Sequence, residues 1–265
     1  MALAWWLLVI TEGAYLGRRV VVWLYDLYAS RYDAIKGFDP DSEAYFLGRH
    51  VFRLLAQTRA GLVLDVATGT GRLPLLLMQS PTFNGHVWGL DLARKMLRIA
   101  AGKLAGYGGR TRLLWGAAER LPFADDTFDL VTCLEALEFF DDQRAALAEM
   151  VRVLRPGGAL LTTRRRGRDA RLMPGKALGE AALAALLAGL GLEDVAFWAW
   201  QIDYDLVEAR KPGAGRGGVR PLVEVMRCPR CGAPALAEDT RALACEACGA
   251  RYPVAADGVI ELRRG

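Results

Sequence analysis

The chain has 265 residues, 53% of them hydrophobic, and a net charge of +4. That length allows one ordinary α/β domain plus something smaller, and the apolar content excludes a disordered chain. The mild positive charge alone is too weak to mark a nucleic-acid binder. Four of the five cysteines fall between Cys228 and Cys248, which reads as metal ligation in a reducing compartment and excludes a secreted disulfide framework.

Residues 1–10 are apolar and include Trp5 and Trp6; Thr11, Glu12 and Gly13 interrupt; Arg18 and Arg19 precede a second apolar run, 20–24. The stretch lacks the positive start and small-residue cleavage site of a secretory signal. Its uninterrupted run is shorter than the ~18 residues of a spanning helix, and Glu12 opposes burial in lipid. Three readings of residues 1–24 stay open: a membrane span, the least favoured; an interfacial helix on a membrane surface or partner; and a helix packed on the protein's own core. The chain is expected to be cytoplasmic, and an interfacial helix would make it peripheral at the inner face of the membrane. Tyr-Asp-Leu-Tyr-Ala-Ser-Arg-Tyr-Asp follows over 25–33. Phe38 to Pro40 then breaks the chain, and residues 41–58 show helical spacing at Leu47, Val51, Leu54 and Leu55.

Residues 62–66, Leu-Val-Leu-Asp-Val, read as a fully buried parallel strand. The turn Gly69-Thr70-Gly71 permits close backbone approach to a ligand, and a helix over 72–79 presents free N–H groups to it. A dinucleotide fingerprint would place a third glycine where Pro74 stands. Asp65 lies four residues before Gly69, and Asp-x-x-x-Gly-x-Gly resembles the first motif of class I S-adenosylmethionine-dependent methyltransferases. The cofactor of that family carries an amino group and no pyrophosphate, which a nearby carboxylate suits. The resemblance implies that Asp65, Ala67, Gly69, Thr70 and Gly71 surround the cofactor. Residues 25–33 are similar to the lid segment of the ubiquinone/menaquinone and related small-molecule methyltransferases, which implies that Tyr32 lines the pocket.

The strand 85–91 ends in Asp91, 20 residues beyond Gly71, where a carboxylate can accept both ribose hydroxyls. Leu92 and Met96 follow as apolar candidates beside adenine. After a third strand over 111–116, Gly116 to Val131 closely resembles the family's run Gly-Asp-Ala-Glu-x-Leu-Pro-Phe-x-Asp-x-x-Phe-Asp. This chain has Ala117 at the polar position that usually holds the adenine amino group, leaving backbone at Ala117 and Ala118, or Glu119, for that contact. A fourth strand over 128–134 brings Leu134 to the cofactor and leads to Glu135 and Glu138, weak candidates for a general base where many relatives carry histidine. Only His50 and His86 occur in the chain.

A helix over 145–154, the turn Arg155-Pro-Gly-Gly158 and a fifth strand over 159–163 come next. Arg164, Arg165, Arg166, Arg168 and Arg171 then cluster at a strand end. A solvated loop is the bland reading; Arg164, Arg165 and Arg166 holding an anionic acceptor or nucleic-acid backbone is the sharper one. A helix over 175–190 and strands over 193–201 and 204–210 complete the expected architecture, a Rossmann-like α/β fold whose seven-stranded sheet ends on an antiparallel strand. The resemblance covers about residues 25–211, with a linker over 212–221.

Residues 222–265 read as a zinc ribbon. Cys228, Cys231, Cys245 and Cys248 give C-x2-C-x13-C-x2-C, a structural-zinc spacing in which four thiolates close a tetrahedron. The ending resembles the small zinc-ribbon activator subunit of RNA and protein methyltransferases. The leading expectation is methyl transfer from S-adenosylmethionine to a small, lipophilic or anionic acceptor. An RNA or protein methyltransferase using the ribbon and arginines is second, RNA being the less favoured partner. A non-catalytic scaffold is third, with Ala117 its only support.

Overall fold

The computed structural model describes residues 1–56, 61–215, 217–239 and 241–262. The end of the helix expected over 41–58, Arg216 of the expected linker, and Thr240 and residues 263–265 of the expected ribbon lie outside the described residues.

An N-terminal helical layer comprises α1 (Ala2–Trp5, continued by a wider turn to Ile10), α2 (Arg18–Tyr28), α3 (Tyr32–Lys36), α4 (Pro40–Glu43) and α5 (Arg49–Leu55). Strands and helices then alternate: β1 (Leu62–Val66), α6 (Arg72–Gln79), β2 (His86–Asp91), α7 (Arg94–Leu104), β3 (Thr111–Trp115), β4 (Phe128–Cys133), α8 (Gln143–Val153) and β5 (Leu154–Arg165). After α9 (Gly167–Arg171) and α10 (Glu180–Gly189) come β6 (Glu193–Ala199) and β7 (Tyr204–Arg210). The tail holds α11 (Leu222–Val225), β8 (Leu236–Glu238), β9 (Ala242–Cys245), β10 (Arg251–Pro253) and β11 (Ile260–Glu261).

The main sheet runs β11-β3-β2-β1-β4-β5-β7-β6. β1 is buried along its whole length, as expected of a parallel strand covered on both faces. It pairs in parallel with β2 on one side and β4 on the other, so the strand order reverses beside it. A crevice outside the strand ends at that reversal is where ligands of such sheets bind. β7 is antiparallel to both β5 and β6. The Rossmann-like methyltransferase sheet is therefore present, with an eighth strand that the sequence did not announce.

That strand, β11, comes from the tail and pairs in parallel with β3, Ile260 beside Leu114. The tail is not a detached bead. Its own antiparallel sheet β10-β9-β8 shares one apolar core with the main sheet, where Leu243, Tyr252 and Ile260 pack in the same cluster as Leu114, Leu121 and Phe123. Arg112 makes a two-point ion pair with Glu238 at 2.7 and 2.8 Å across the same junction.

β5 extends well past the expected 159–163. Arg164 and Arg165 lie within it, opposite Asp205 and Tyr204 of β7, which corrects the reading of these arginines as a loop. No helix among the described residues is long and apolar enough to cross a membrane, which removes the spanning alternative for residues 1–24. The first segment is anchored instead: Trp6 Nε1 donates to the Leu172 carbonyl at 3.0 Å and stacks on Tyr15, whose hydroxyl donates to the Pro174 carbonyl at 2.7 Å. Leu3, Trp5 and Val9 nonetheless remain exposed.

Candidate active site

The crevice at the ends of β1, β2 and β4 is roofed by α2 and forms a cavity of about 710 Å³, counting its mouth. Its floor is the glycine turn. Gly69 has φ +54°, and a side chain there would meet nothing within 4 Å, so this position opens into the cavity. Gly71 has φ +79° for a different reason: a Cβ there would come 3.0 Å from the Ala100 Cβ, and its absence lets α6 and α7 approach. Ala67, also left-handed at φ +56°, lines the wall beside Leu134.

Asp91 lies across the floor. Its Oδ2 accepts the Gly69 N–H and its Oδ1 the Ala93 N–H, each at 2.7 Å. Each oxygen keeps a lone pair for a further donor. Burial pushes this carboxyl up to about 6, with the Ala93 and Gly69 N–H groups pulling the other way. Asp65 is differently placed. It does not line the cavity; its Oδ1 accepts from Thr132 Oγ1 at 2.6 Å and its Oδ2 from Thr68 Oγ1 at 2.7 Å. Burial also pushes it up to about 6, against those two hydroxyl bonds. Asp65 therefore braces the turn from behind, tying it to β4 through Thr132.

The remaining candidates divide in the same way. Tyr32, Leu92 and Ala118 line the cavity with Tyr25 and Arg18. Met96 is buried in a cluster with Ala29 and Ala93 and seats Tyr25 and Tyr32, so it supports α2 and α3 over the cavity. Ala117 lies in the wall of a different cavity, toward the tail. Glu119 is half-buried with Oε2 unpaired in hydrogen bonding, 3.7 Å from Arg18 Nη1 at the cavity's edge. Thr70 Oγ1 donates to Asp33 Oδ1 at 2.5 Å, tying α3 to the glycine turn.

Glu135 occupies the junction between this cavity and a second one of about 1210 Å³, counting its mouth, lined by Phe38, Phe46, Trp200 and Tyr204. It is held in the left-handed region at φ +53°, its N–H donating to Thr163 Oγ1 at 2.7 Å. Its carboxylate receives Lys36 Nζ at 2.8 Å, Arg72 Nη1 at 2.7 Å and Gln201 Nε2 at 3.2 Å. Burial alone would raise this carboxyl, but the Lys36 and Arg72 charges win and hold it below the ordinary glutamate value. Glu135 is thus ionised and a weak base. Glu138 is buried outside both cavities, accepts from the Tyr204 hydroxyl at 2.6 Å, and is pushed up by burial. His50 pairs with Glu208 and His86 begins β2 at the far end from the site, so neither supplies a base. Lys36 and Arg72 escaped the sequence reading; the signal was the need of a buried acid for cations.

The three arginines are already engaged by acids. Arg164 Nη2 and Arg166 Nη1 both bind Asp205, the latter at 2.8 Å. Arg165 is buried, with Glu12 and Glu138 at 3.5 Å and Asp169 at 3.8 Å.

In the tail, the four Sγ atoms of Cys228, Cys231, Cys245 and Cys248 lie within 4.8 Å of one another. Cys228 to Cys248 and Cys231 to Cys245 are each 3.7 Å apart. A tetrahedron with Zn–S bonds of ~2.3 Å has edges of ~3.8 Å, so the donor set fits zinc.

Residues 63–158 match a family model described as a methyltransferase domain. Relatives include the ubiquinone/menaquinone biosynthesis C-methyltransferase UbiE of Marinomonas sp. (strain MWYL1), 34% identical over 145 residues, covering 54% of this chain and 58% of that protein. The enzyme of the same name from Desulfotalea psychrophila is 38% identical over 137 residues, covering 51% and 54%. The chain thus spans only about half the length of the curated relatives it matches. Among solved structures, the [4+2]-cyclase SpnF superposes with a TM-score of 0.61 at 18% identity, over 75% of this chain and 98% of that one. A SAM-dependent methyltransferase from Aquifex aeolicus gives 0.52 at 23% identity, over 65% and 98%. Likeness at that level shows the fold alone, and a cyclase shares it.

Proposed function

We propose that this chain, which carries a class I S-adenosylmethionine-dependent methyltransferase domain, transfers a methyl group to a small lipophilic acceptor held against Glu135. The observation that carries this reading is Glu135 itself, shared by the cavity floored with Gly69 and Asp91 and by the aromatic cavity beside it. When bound, S-adenosylmethionine would supply a sulfonium-activated methyl group for the acceptor's electron pair, its sulfur leaving as a neutral thioether. The chain's contribution is alignment and exclusion of water. Asp91 and the Gly69 turn fix the cofactor, the α2 roof dries the site, and Phe38, Phe46 and Trp200 receive an apolar acceptor. The relatives named above are C-methyltransferases of ubiquinone/menaquinone biosynthesis, and a ring acceptor suits those aromatic walls.

Calorimetric titration with S-adenosylmethionine, followed by methyl transfer to a prenylated hydroquinone from labelled cofactor, tests the reading; no cofactor binding by the intact chain ends it. With Glu135→Gln, kcat should fall by roughly tenfold or more while cofactor affinity stays within about threefold, because Gln keeps the shape but only one of the two acceptor oxygens that take Lys36 and Arg72, and none of the charge that balances them. Equal kcat in the variant would remove Glu135 from the reaction.

Two further assignments belong to the same proposal. Cys228, Cys231, Cys245 and Cys248 hold one structural zinc, all four positions being protein ligands. The exposed Leu3, Trp5, Leu8 and Val9 dock on an anionic membrane surface, since Trp and aliphatic side chains on one short segment partition into the headgroup boundary. Trp5→Glu should abolish sedimentation with anionic vesicles while leaving the melting temperature within about 2 °C, as an exposed substitution would. Full-length protein that ignores vesicles altogether refutes the docking.

A further inference from the structure

Another cavity, about 1150 Å³ counting its mouth, lies between the end of β5 and the start of α10. We propose that it binds an oxyanionic group, phosphate or carboxylate, carried by the acceptor at a distance from the methylated atom. This rests on the methyltransferase reading and narrows its substrate class.

Arg165 carries the argument. It is only 8% exposed and its Nε has no hydrogen-bond partner. Its nearest carboxylates, at 3.5 to 3.8 Å, are all farther than the ~2.7–2.9 Å of a charge-assisted hydrogen bond. A buried guanidinium with unspent donors is costly, and an oxyanion would satisfy it. Arg164 has the same unpartnered Nε. Arg171 stands exposed on the rim with no carboxylate partner among the described residues. Gly179 caps α10 with no side chain covering the first N–H groups, and Gly179 and Glu180 line the cavity, so that helix end adds donors and a positive dipole. Four arginines line the space against two acids, Asp205 held by Arg164 and Arg166 and Glu180 lying 3.8 Å from Arg164, while Glu12, Glu138 and Asp169 stand around Arg165 without lining the cavity.

Arg165 also lines the aromatic cavity that meets Glu135. One molecule can therefore place its reacting end among Phe38, Phe46 and Trp200 and its anionic end past Arg165.

The test uses full-length protein with S-adenosylmethionine and follows inorganic phosphate and pyrophosphate by calorimetry. Wild type should bind both, and Arg165→Met and Arg171→Gln should each weaken binding by roughly tenfold, the worth of one charge-assisted hydrogen bond. Cofactor affinity should stay within about twofold in both. Arg171 is exposed, so its variant reads the site even if Arg165→Met folds poorly. No phosphate binding by wild type, or equal binding by wild type and Arg171→Gln, overturns the proposal. So does an RNA oligonucleotide that binds through Arg171 and is not displaced by phosphate. Phosphate binding without cofactor binding would leave this cavity standing and sink the methyltransferase reading instead.

Discussion

Asp91→Ala is expected to weaken S-adenosylmethionine binding by roughly 5- to 150-fold, equivalent to about 1–3 kcal/mol. The variant would lose the proposed acceptor for the two ribose hydroxyls and also frees the Gly69 and Ala93 N–H groups that Asp91 now orders. The same carboxylate predicts a pH dependence. A protonated Asp91 has one oxygen turned donor, and its carboxyl is raised to about 6. Cofactor affinity should therefore fall as pH drops through 6, by up to about tenfold per pH unit, and Asp91→Asn should flatten that limb. The stability sign is opposite. Folded values above the unfolded one mean that Asp65 and Asp91 bind protons more tightly when folded, so their contribution declines as pH rises from about 4 to about 6. Calorimetry across pH 5–8 checks the affinity; a flat wild-type profile would remove Asp91 from the contact.

Stripping zinc, by chelator or by Cys245→Ser, is expected to take metal content from about one per chain to about none and to unfold the tail. Structural zinc is worth about 10–16 kcal/mol in isolated small modules. Here part of that reaches the main domain, because Leu243, Tyr252 and Ile260 share its core. A loss of about 3 kcal/mol would lower the melting temperature by roughly 6–12 °C for a chain of this size. Cofactor affinity should fall too. Asp257 and Glu261 clamp Arg94, at 2.9 and 3.2 Å, and Arg94 opens α7 just beyond Asp91 and Leu92. Mass spectrometry for zinc and a thermal melt decide it: metal-free protein that melts unchanged would make the cysteines incidental.

Much of the frame was legible because it is local. A buried five-residue strand, two glycines with positive φ and an acid at the end of the next strand are consequences of near neighbours, and the structure places them as spacing suggests. What spacing could not supply is the direction of a side chain once distant elements arrive. Asp65 turns to Thr132 on β4, a partner invisible from its own strand. Met96 faces the lid because α2 packs there. Arg164 and Arg165 read as a charged loop, yet alternation along β5 sets Arg164 beside Asp205 and buries Arg165. The Lys36–Glu135–Arg72 triad joins three segments far apart in sequence. The eighth strand is two residues long, too short for any periodicity to announce.

That short strand has a consequence for how the protein is made. An unpaired sheet edge is a template for pairing with other chains. During synthesis β3 is that edge, and its partner β11 emerges only after the whole intervening sheet, the linker and the cysteine cluster. Nascent and half-assembled chains therefore present the Thr111–Trp115 edge bare, and the proposed metal capture, by setting β8 to β10, would influence when it is covered. If zinc sets the cysteine cluster, chains made in a zinc-poor cell would keep that edge bare for longer and aggregate more readily.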